Sequence, residues 1–318
     1  MTKNLLMIGD FFPAMKDTLS KNFVIHQTKA DEIDELGEDV LASIKCLATM
    51  GYAPAELIDK LPNLELISSF GVGYDGVAAD HAARKGIMVG HTPDVLNDEV
   101  ANTVIALILA TTRRIVAYDK YVREGHWLTK GDAPLTHGIA GKTVGIVGLG
   151  RIGEAVAEKL SVFNCSVAYH TRNKKPDISH PYFEKLVDLA SSSDILVVIT
   201  PGGPATDKLI SSEVIDALGP NGTLINVARG TVVDEQAMIA ALQNGRLGAA
   251  GLDVFEKEPN VPEALFSMEN VVLAPHIGSA TFETRQAMAD RVVDNINAFY
   301  KAGAPINLVP ECDGLRPK

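Results

Sequence analysis

Short apolar runs alternate with longer amphipathic segments along the first hundred residues of the chain. The runs read LLMIGDF, FVIHQT, IKCLATM, LELISSFG and IMVGHT. Apolar runs of this length, separated by segments with helical spacing, are typical of strands buried in a parallel sheet. The pattern therefore predicts five strands joined by helices.

A second series of apolar runs begins at Thr143, after a long helical stretch and a polar loop. The helical stretch reads DEVANTVIALILATTRRIVAYDKYVREG, with Asn97 or Asp98 as a suitable N-cap. The runs of the second series read TVGIVG, SVAYH, DILVVIT, GTLINVA, GAAGLDVF and NVVLAP. Six strands with helical crossovers predict a doubly wound α/β sheet.

The last amphipathic segment, over about residues 281–302, predicts a helix that returns the chain to the first domain, because the N-terminal series lacks a closing segment of its own. We therefore expect a discontinuous domain of residues 1–98 and 285–318 around an inserted domain of residues 99–284, with a cleft between them. A length of 318 residues also favours two domains over one.

Composition restricts the class of partner and the compartment. The chain is 46% hydrophobic and 22% charged, with a formal net charge of −11, which argues against nucleic acid and anionic membranes as partners. None of the three cysteines lies in a CxxC pair, so neither a metal site nor a disulfide framework is expected. The N-terminus lacks a signal-peptide pattern, and the apolar run VIALILA is too short to cross a membrane, so we expect a cytoplasmic protein.

A glycine-rich turn follows the first strand of the second series. Gly148, Gly150 and Gly153 form a G-x-G-x-x-G pattern between an apolar strand and an amphipathic helix, which is the context that a dinucleotide-binding loop requires. The helix N-terminus then offers N–H groups to the phosphates. The expected cofactor-binding loop comprises Gly148, Leu149, Gly150, Arg151, Ile152 and Gly153.

Three ionisable residues follow successive strands of the second series, namely Arg229, Glu258 and His276. Each one alone could be a capping cation, a loop acid or a buried structural histidine. Together, at the strand ends where doubly wound sheets bind ligands, they favour catalysis. An Arg holds a carboxylate, a His gives a proton to a reduced carbonyl oxygen, and a Glu orients the His. The set suits reduction of a 2-keto acid.

Five segments that carry these motifs resemble the D-2-hydroxyacid dehydrogenase family, most closely its glyoxylate/hydroxypyruvate reductases. They read SSFGVGYDGV, GKTVGIVGLGRIG, INVARGTVVDE, GLDVFEKEP and APHIGSAT. The resemblance covers nearly the whole chain. It implies a Rossmann NAD(P)-binding domain inserted in a smaller flavodoxin-like α/β substrate domain.

The resemblance also implies the roles of single residues. Arg229 would anchor the substrate carboxylate and carbonyl, Glu258 would be the partner of the histidine, and His276 would be the general acid and base. The backbone N–H groups of Val72 and Gly73 would bind the substrate carboxylate.

Further positions match the cofactor groove of the family. Asp253 resembles the residue that holds the nicotinamide amide, and Thr200, Pro201 and Val227 match groove-lining positions, although packing at strand ends explains these side chains equally well. Glu256 is then a loop acid. The segment around Trp127 is similar to an extended arm that embraces a second subunit, which implies a homodimer.

The second strand of the later series ends in a basic turn instead of the usual acid. An acid about 20 residues after the glycines would bond the ribose 2′-hydroxyl of NAD. This chain has Thr171 and Arg172 there, followed by Lys174 and Lys175. An Arg can bind a 2′-phosphate bidentately. The stretch therefore predicts a preference for NADP(H), with NAD(H) possible, and Lys174 fits a solvated turn.

Three functional hypotheses follow. The first is an NADPH-preferring reductase of small 2-keto acids, with glyoxylate and hydroxypyruvate first. The second is the same reaction on bulkier acids such as phenylpyruvate, hydroxyphenylpyruvate or 2-ketogluconate, with Met50 to Tyr52 helping to set the pocket size. The third is a non-catalytic nucleotide sensor like the corepressors that share this fold, since a fold alone does not decide function.

Overall fold

The computed structural model of the chain describes residues 3–317, which divide into two compact units. Within the described residues, one unit covers residues 3–96 and 281–317, and the other covers Asn97–Ala280. The first is therefore discontinuous in sequence and the second is continuous.

The strands and helices alternate through most of the chain. The strands are β1 (Asn4–Ile8), β2 (Val24–Thr28), β3 (Ile44–Thr49), β4 (Tyr52–Ala53), β5 (Leu66–Ser69), β6 (Gly76–Val77), β7 (Met88–Gly90), β8 (Thr143–Val147), β9 (Ser166–His170), β10 (Ile195–Val198), β11 (Thr223–Asn226), β12 (Ala249–Leu252) and β13 (Val271–Leu273). The α-helices are α1 (Pro13–Ser20), α2 (Glu38–Ser43), α3 (Ala55–Asp59), α4 (Ala79–Arg84), α5 (Asn97–Thr112), α6 (Ile115–Arg123), α7 (His126–Lys130), α8 (Arg151–Ser161), α9 (Leu186–Ser191), α10 (Ser212–Leu218), α11 (Glu235–Gln243) and α12 (Phe282–Ala302). Short 3₁₀ helices cover Ala30–Leu36, Gly230–Val232, Glu263–Leu265 and Pro310–Leu315.

The discontinuous unit contains a parallel sheet in the order β2-β1-β3-β5-β7. Its strands are the five apolar runs of the first series, so the predicted sheet is present. This order is that of flavodoxin-like folds. Strands β4 and β6, which form a separate pair, were not predicted, because two residues are too few to show a periodic pattern. The expected final helix is α12.

The continuous unit contains the predicted six-stranded parallel sheet, in the order β13-β12-β11-β10-β8-β9. Beyond β9, Tyr182 forms a single parallel bridge with Tyr169. The bridge is closed by hydrogen bonds from Tyr169 N to Pro181 O and from Phe183 N to Tyr169 O, both 2.9 Å. With this bridge counted, the order contains the 3-2-1-4-5-6 arrangement of dinucleotide-binding sheets, followed by one more strand. The predicted doubly wound α/β class is confirmed.

The long stretch that was predicted to be helical contains a break that its pattern did not show. α5 ends at Thr112 and α6 begins at Ile115, with a bend of 57° between them. Arg114 at the break has φ +51°, a left-handed conformation that ends a helix. Among the described residues, no single helix is long and apolar enough to cross a membrane; the bent pair α5 and α6 passes the same criterion together.

The segments that follow two neighbouring strands, β11 and β12, approach each other closely at a glycine. Gly230 lies in the turn after β11, directly after Arg229, and a Cβ atom there would lie 1.8 Å from the carbonyl carbon of Phe255, in the segment after β12. Such a distance is far below van der Waals contact, so only a residue without a side chain fits. The two strand-end segments are consequently packed backbone against backbone.

We predict that Gly230→Ala pushes these two segments apart. Overpacking a rigid site costs about 3 kcal/mol of the free energy of unfolding, because backbone atoms instead of a flexible side chain must move. Gly138→Ala is the matched control, since a Cβ atom at Gly138 meets no atom within 4 Å. Chemical denaturation of both variants measures the difference. Equal stability of the two variants would contradict the close packing.

Candidate functional site

His276 and Glu258 form a hydrogen-bonded pair beyond the ends of β12 and β13. His276 Nδ1 lies 2.8 Å from Glu258 Oε2. The other oxygen, Glu258 Oε1, accepts a hydrogen bond of 3.0 Å from the Phe255 backbone N–H. A carboxylate can only accept, so Nδ1 of His276 carries the hydrogen and Nε2 is left as the second ring nitrogen. The side chains are 48% and 35% exposed, which leaves the pair accessible to a small molecule.

The loop that presents His276 is attached to a buried carboxylate. Asp253 is 2% exposed, and its two oxygens accept hydrogen bonds from the N–H groups of Ile277 at 2.7 Å and Gly278 at 2.8 Å. The His276 N–H donates to the Asp253 carbonyl at 2.8 Å. Burial raises the pKa of Asp253, and the two backbone N–H groups oppose that rise. His276 itself has φ +54°, a strained conformation that these bonds hold in place.

Arg229 leaves β11 through a turn that Asn226 organises. The Asn226 side chain donates to the Arg229 carbonyl at 3.0 Å and accepts from the Ala228 N–H at 3.0 Å. The guanidinium of Arg229 is partly buried and donates to the Ala228 carbonyl at 2.7 Å. Arg229 thus lies at the same carboxyl edge of the sheet as Glu258 and His276, as the strand-end positions predicted.

The glycine-rich loop has the close approaches expected of a dinucleotide-binding turn. Gly148 has φ +98°, and a Cβ atom there would lie 2.7 Å from the Ile199 carbonyl oxygen. A Cβ atom at Gly153 would lie 2.7 Å from the Gly148 carbonyl oxygen, so the glycine lets α8 pack on the loop. At Gly150 nothing lies within 4 Å of that position, which leaves space beside the helix end.

The residues at this edge fit a bound dinucleotide. No side chain caps the N-terminus of α8, so its first N–H groups can serve an anion. The Thr200 hydroxyl is buried without a hydrogen-bond partner within the described residues, and a ligand could supply one. Of the other predicted groove positions, Pro201 is exposed and Val227 is partly buried. Leu149 is buried, Ile152 partly buried and Arg151 exposed.

The basic turn after β9 is ordered by local hydrogen bonds. The Thr171 hydroxyl donates to the Asn173 carbonyl at 2.7 Å, and Lys175 forms an ion pair with Glu154. Arg172 and Lys174 are exposed. His170 ends β9, and its Nδ1 lies 3.0 Å from the Phe183 carbonyl oxygen, so this ring is bound within the protein.

Val72 and Gly73 belong to the discontinuous unit, in the turn after β5. Their backbone N–H groups form no hydrogen bond to any part of residues 3–317. Two adjacent unused donors suit an anionic ligand. In the same described range, no group of three or more His, Cys, Asp or Glu side chains is arranged to hold a metal ion.

Two supporting residues of the continuous unit were missed by sequence reasoning. Asn226 shapes the Arg229 turn, and buried Glu235 accepts a hydrogen bond of 3.1 Å from the Glu256 N–H in the segment that carries Glu258. Both lie within the segment INVARGTVVDE, but their partners are backbone groups, which no residue pattern identifies.

Comparison with known proteins extends these observations. The family model described as "D-isomer specific 2-hydroxyacid dehydrogenase, NAD binding domain" matches residues 105–278. The chain is 56% identical to a hydroxyphenylpyruvate reductase of Plectranthus scutellarioides over 254 residues, 80% of each chain. It is 53% identical to a glyoxylate/hydroxypyruvate reductase of Arabidopsis thaliana over 248 residues, 78% of this chain and 79% of that protein.

A solved structure is similar over the full length. The NADPH-dependent glyoxylate/hydroxypyruvate reductase of Sinorhizobium meliloti, in complex with NADP and malonate, gives a TM-score of 0.95 at 43% identity and covers 100% of this chain and 99% of that one. The resemblance drawn from the five sequence segments is confirmed, and the chain belongs to the D-isomer specific 2-hydroxyacid dehydrogenase family.

Proposed function

We propose that the protein is an NADPH-preferring reductase that converts small 2-keto acids, glyoxylate and hydroxypyruvate first, to D-2-hydroxy acids. The observation that carries this proposal is the His276–Glu258 pair, 2.8 Å between Nδ1 and Oε2, at the same sheet edge as a dinucleotide loop. Relatives named as glyoxylate/hydroxypyruvate reductases support the choice of substrate.

The continuous unit is the proposed nucleotide-binding domain, and the discontinuous unit is the proposed substrate domain. The residues that would hold the cofactor are the loop Gly148–Gly153, Thr171, Arg172, Thr200, Pro201, Val227 and Asp253. When bound, the reduced nicotinamide supplies the hydride. The carboxylate of Asp253 has lone pairs beyond those that accept from Ile277 and Gly278, and these suit a nicotinamide amide.

The catalytic residues complement one another in this proposal. Arg229 binds the substrate carboxylate and polarises the adjacent carbonyl, and the open N–H groups of Val72 and Gly73 bind the same carboxylate. His276 donates a proton from Nε2 to the carbonyl oxygen as that oxygen gains negative charge. Glu258 accepts from Nδ1 throughout, so it fixes the ring and stabilises its protonated form.

Bulkier 2-keto acids are the second candidate substrates. A relative named hydroxyphenylpyruvate reductase, 56% identical, is the specific observation in their favour. Met50 and Tyr52, the proposed determinants of pocket size, are 40% and 54% exposed, so their side chains have room to admit a larger group.

The assay that tests the reaction combines NADPH with glyoxylate, hydroxypyruvate, phenylpyruvate, hydroxyphenylpyruvate and 2-ketogluconate. We expect loss of the nicotinamide absorbance, with the highest kcat/KM for the two smallest acids. We expect His276→Ala to lower kcat about 10²–10⁴-fold while the Kd for NADPH changes little, because the histidine acts on the substrate oxygen.

His137→Ala is the control, since His137 is an exposed histidine of the same unit. Binding of NADPH without turnover on any acid would favour the corepressor-like alternative. Equal losses of turnover and NADPH binding in His276→Ala would instead assign that residue a structural role.

Cofactor choice is proposed to depend on the turn Thr171–Lys175, in which Arg172 and Lys174 are exposed. We predict that kcat/KM is higher with NADPH than with NADH. We expect Arg172→Ala to lower the ratio of kcat/KM with NADPH to kcat/KM with NADH at least about tenfold, because a charge-assisted hydrogen bond to the 2′-phosphate is lost. Lys174→Ala, which removes a neighbouring exposed cation, is expected to narrow it less. A wild-type preference for NADH would rule out this assignment.

We also propose that the protein is a homodimer whose interface includes α6, α7 and the following loop. Neither helix has a buried residue, although several of their large apolar side chains and one in the loop are more than half exposed. These are Ile115, Val116, Val122, Trp127, Leu128 and Leu135. The segment is nevertheless held in shape, with Trp127 Nε1 donating to Asp132 at 3.1 Å and Tyr121 Oη to the Gly131 carbonyl at 3.0 Å. An ordered apolar surface of this kind is typical of interfaces.

We predict that Leu128→Asp weakens this dimer at least about tenfold, because a charge replaces an apolar side chain that is 92% exposed in the single chain. Val162→Asp is the control, at an apolar position 80% exposed outside the segment. Sedimentation velocity over a dilution series gives the dissociation constants. A monomeric wild-type protein would contradict the proposal.

A further inference from the structure

The turn that carries Val72 and Gly73 is held by a histidine from the next strand end. His91 Nδ1 lies 3.0 Å from the Val72 carbonyl oxygen. A carbonyl oxygen can only accept, so Nδ1 is the protonated nitrogen and donates this bond. His91 follows β7 and has no part in the proposed hydride and proton transfer.

This bond fixes the direction of a neighbouring donor. The Val72 C=O and the Gly73 N–H belong to one peptide group, which is planar and trans, so the two bonds point in opposite directions. When His91 holds the carbonyl on one side, the Gly73 N–H must point away on the other. That N–H is one of the two donors that form no hydrogen bond within residues 3–317.

His91 is itself fixed on both sides of its backbone. Its N–H donates to the Asn307 carbonyl at 3.0 Å, and its carbonyl accepts from the Asn295 side chain at 2.9 Å. Asn295 is fully buried in α12. The imidazole also packs edge-on against Tyr74, with 5.3 Å between ring centroids. These contacts hold the imidazole in the orientation in which its Nδ1 bonds to the Val72 carbonyl oxygen.

Two further contacts hold the residues on either side of the Val72–Gly73 peptide in place. The Gly71 N–H donates to the Thr92 hydroxyl at 3.0 Å, which secures the turn before Val72. The Tyr74 hydroxyl donates to Glu311 at 3.1 Å, and burial together with Glu311 raises the pKa of Tyr74 to about 12. The turn is thus attached on each side of the Val72–Gly73 peptide, and within residues 3–317 the His91 bond is the only hydrogen bond to that peptide.

We propose that His91 is a positioning residue that aims the Gly73 N–H at the carboxylate of the 2-keto acid. The inference rests on the proposed function, because it assigns a reason to the orientation of a donor that the reductase uses. His91 would not contact substrate. It would preset the donor, so that binding the carboxylate requires no rotation of the peptide.

The test compares His91→Leu with His91→Asn in the full-length enzyme. Leucine fills similar volume but cannot donate, whereas the asparagine amide can reach the position of Nδ1 and donate to the same carbonyl. For glyoxylate and NADPH, we expect His91→Leu to raise the KM for glyoxylate about five- to tenfold, the effect of one lost hydrogen bond. We expect the KM for NADPH to be unchanged and His91→Asn to restore the KM for glyoxylate to within about twofold of wild type.

His81→Leu is the matched control, since His81 lies in the same unit and pairs with Asp59 on α3 instead of the turn. Melting temperatures of all variants confirm folding. If His91→Leu leaves the KM for glyoxylate unchanged, or if His91→Asn raises it as much as leucine does, the positioning role is wrong and the reductase assignment stands. If the wild-type enzyme reduces no 2-keto acid, the proposed function fails and this inference fails with it.

Discussion

The geometry of the site depends on the buried carboxylate of Asp253. Its two oxygens take up the N–H groups of Ile277 and Gly278, which directly follow His276, while its own chain continues within five residues to Glu258. Asp253 therefore helps to hold both the segment of His276 and the segment of Glu258 in place. Charge-assisted hydrogen bonds of this kind offset the cost of burying a carboxylate and keep His276 at a positive φ that the chain would otherwise avoid.

Close backbone approach is the second constraint, and it recurs at two places along the carboxyl edge of the sheet in the continuous unit. Gly230 brings the segment of Arg229 against the segment of Glu258, and Gly148 brings the dinucleotide loop against the end of β10. Neither approach tolerates a Cβ atom. Positions that look like simple turn residues thus decide how near the charged side chains of neighbouring strands can lie to one another.

The sequence predicted the strands of both sheets and the strand-end positions of Arg229, Glu258 and His276, because each depends on a local pattern of apolar residues followed by a polar one. It did not predict the break at Arg114, since apolar residues resume at Ile115 directly after it and neither Gly nor Pro marks the position. It also did not reveal Asn226, Glu235 or His91. Their partners are backbone groups, within the same turn for Asn226 and in other segments for Glu235 and His91, and such hydrogen bonds leave no periodic trace in the sequence.

The discontinuity of the first unit has a consequence for the order in which the protein takes shape during synthesis. The unit Asn97–Ala280 is continuous and holds a complete core, so it has all its parts as soon as its last strand emerges. The contacts that hold the turn of Val72 and Gly73 form later, because Asn295 and Asn307, which bond to His91, are synthesised about two hundred residues after it. The unit that contains β1 to β7 is therefore completed after the continuous unit, and the donors proposed for the substrate carboxylate acquire their orientation only when α12 and the segment with Asn307 have been added.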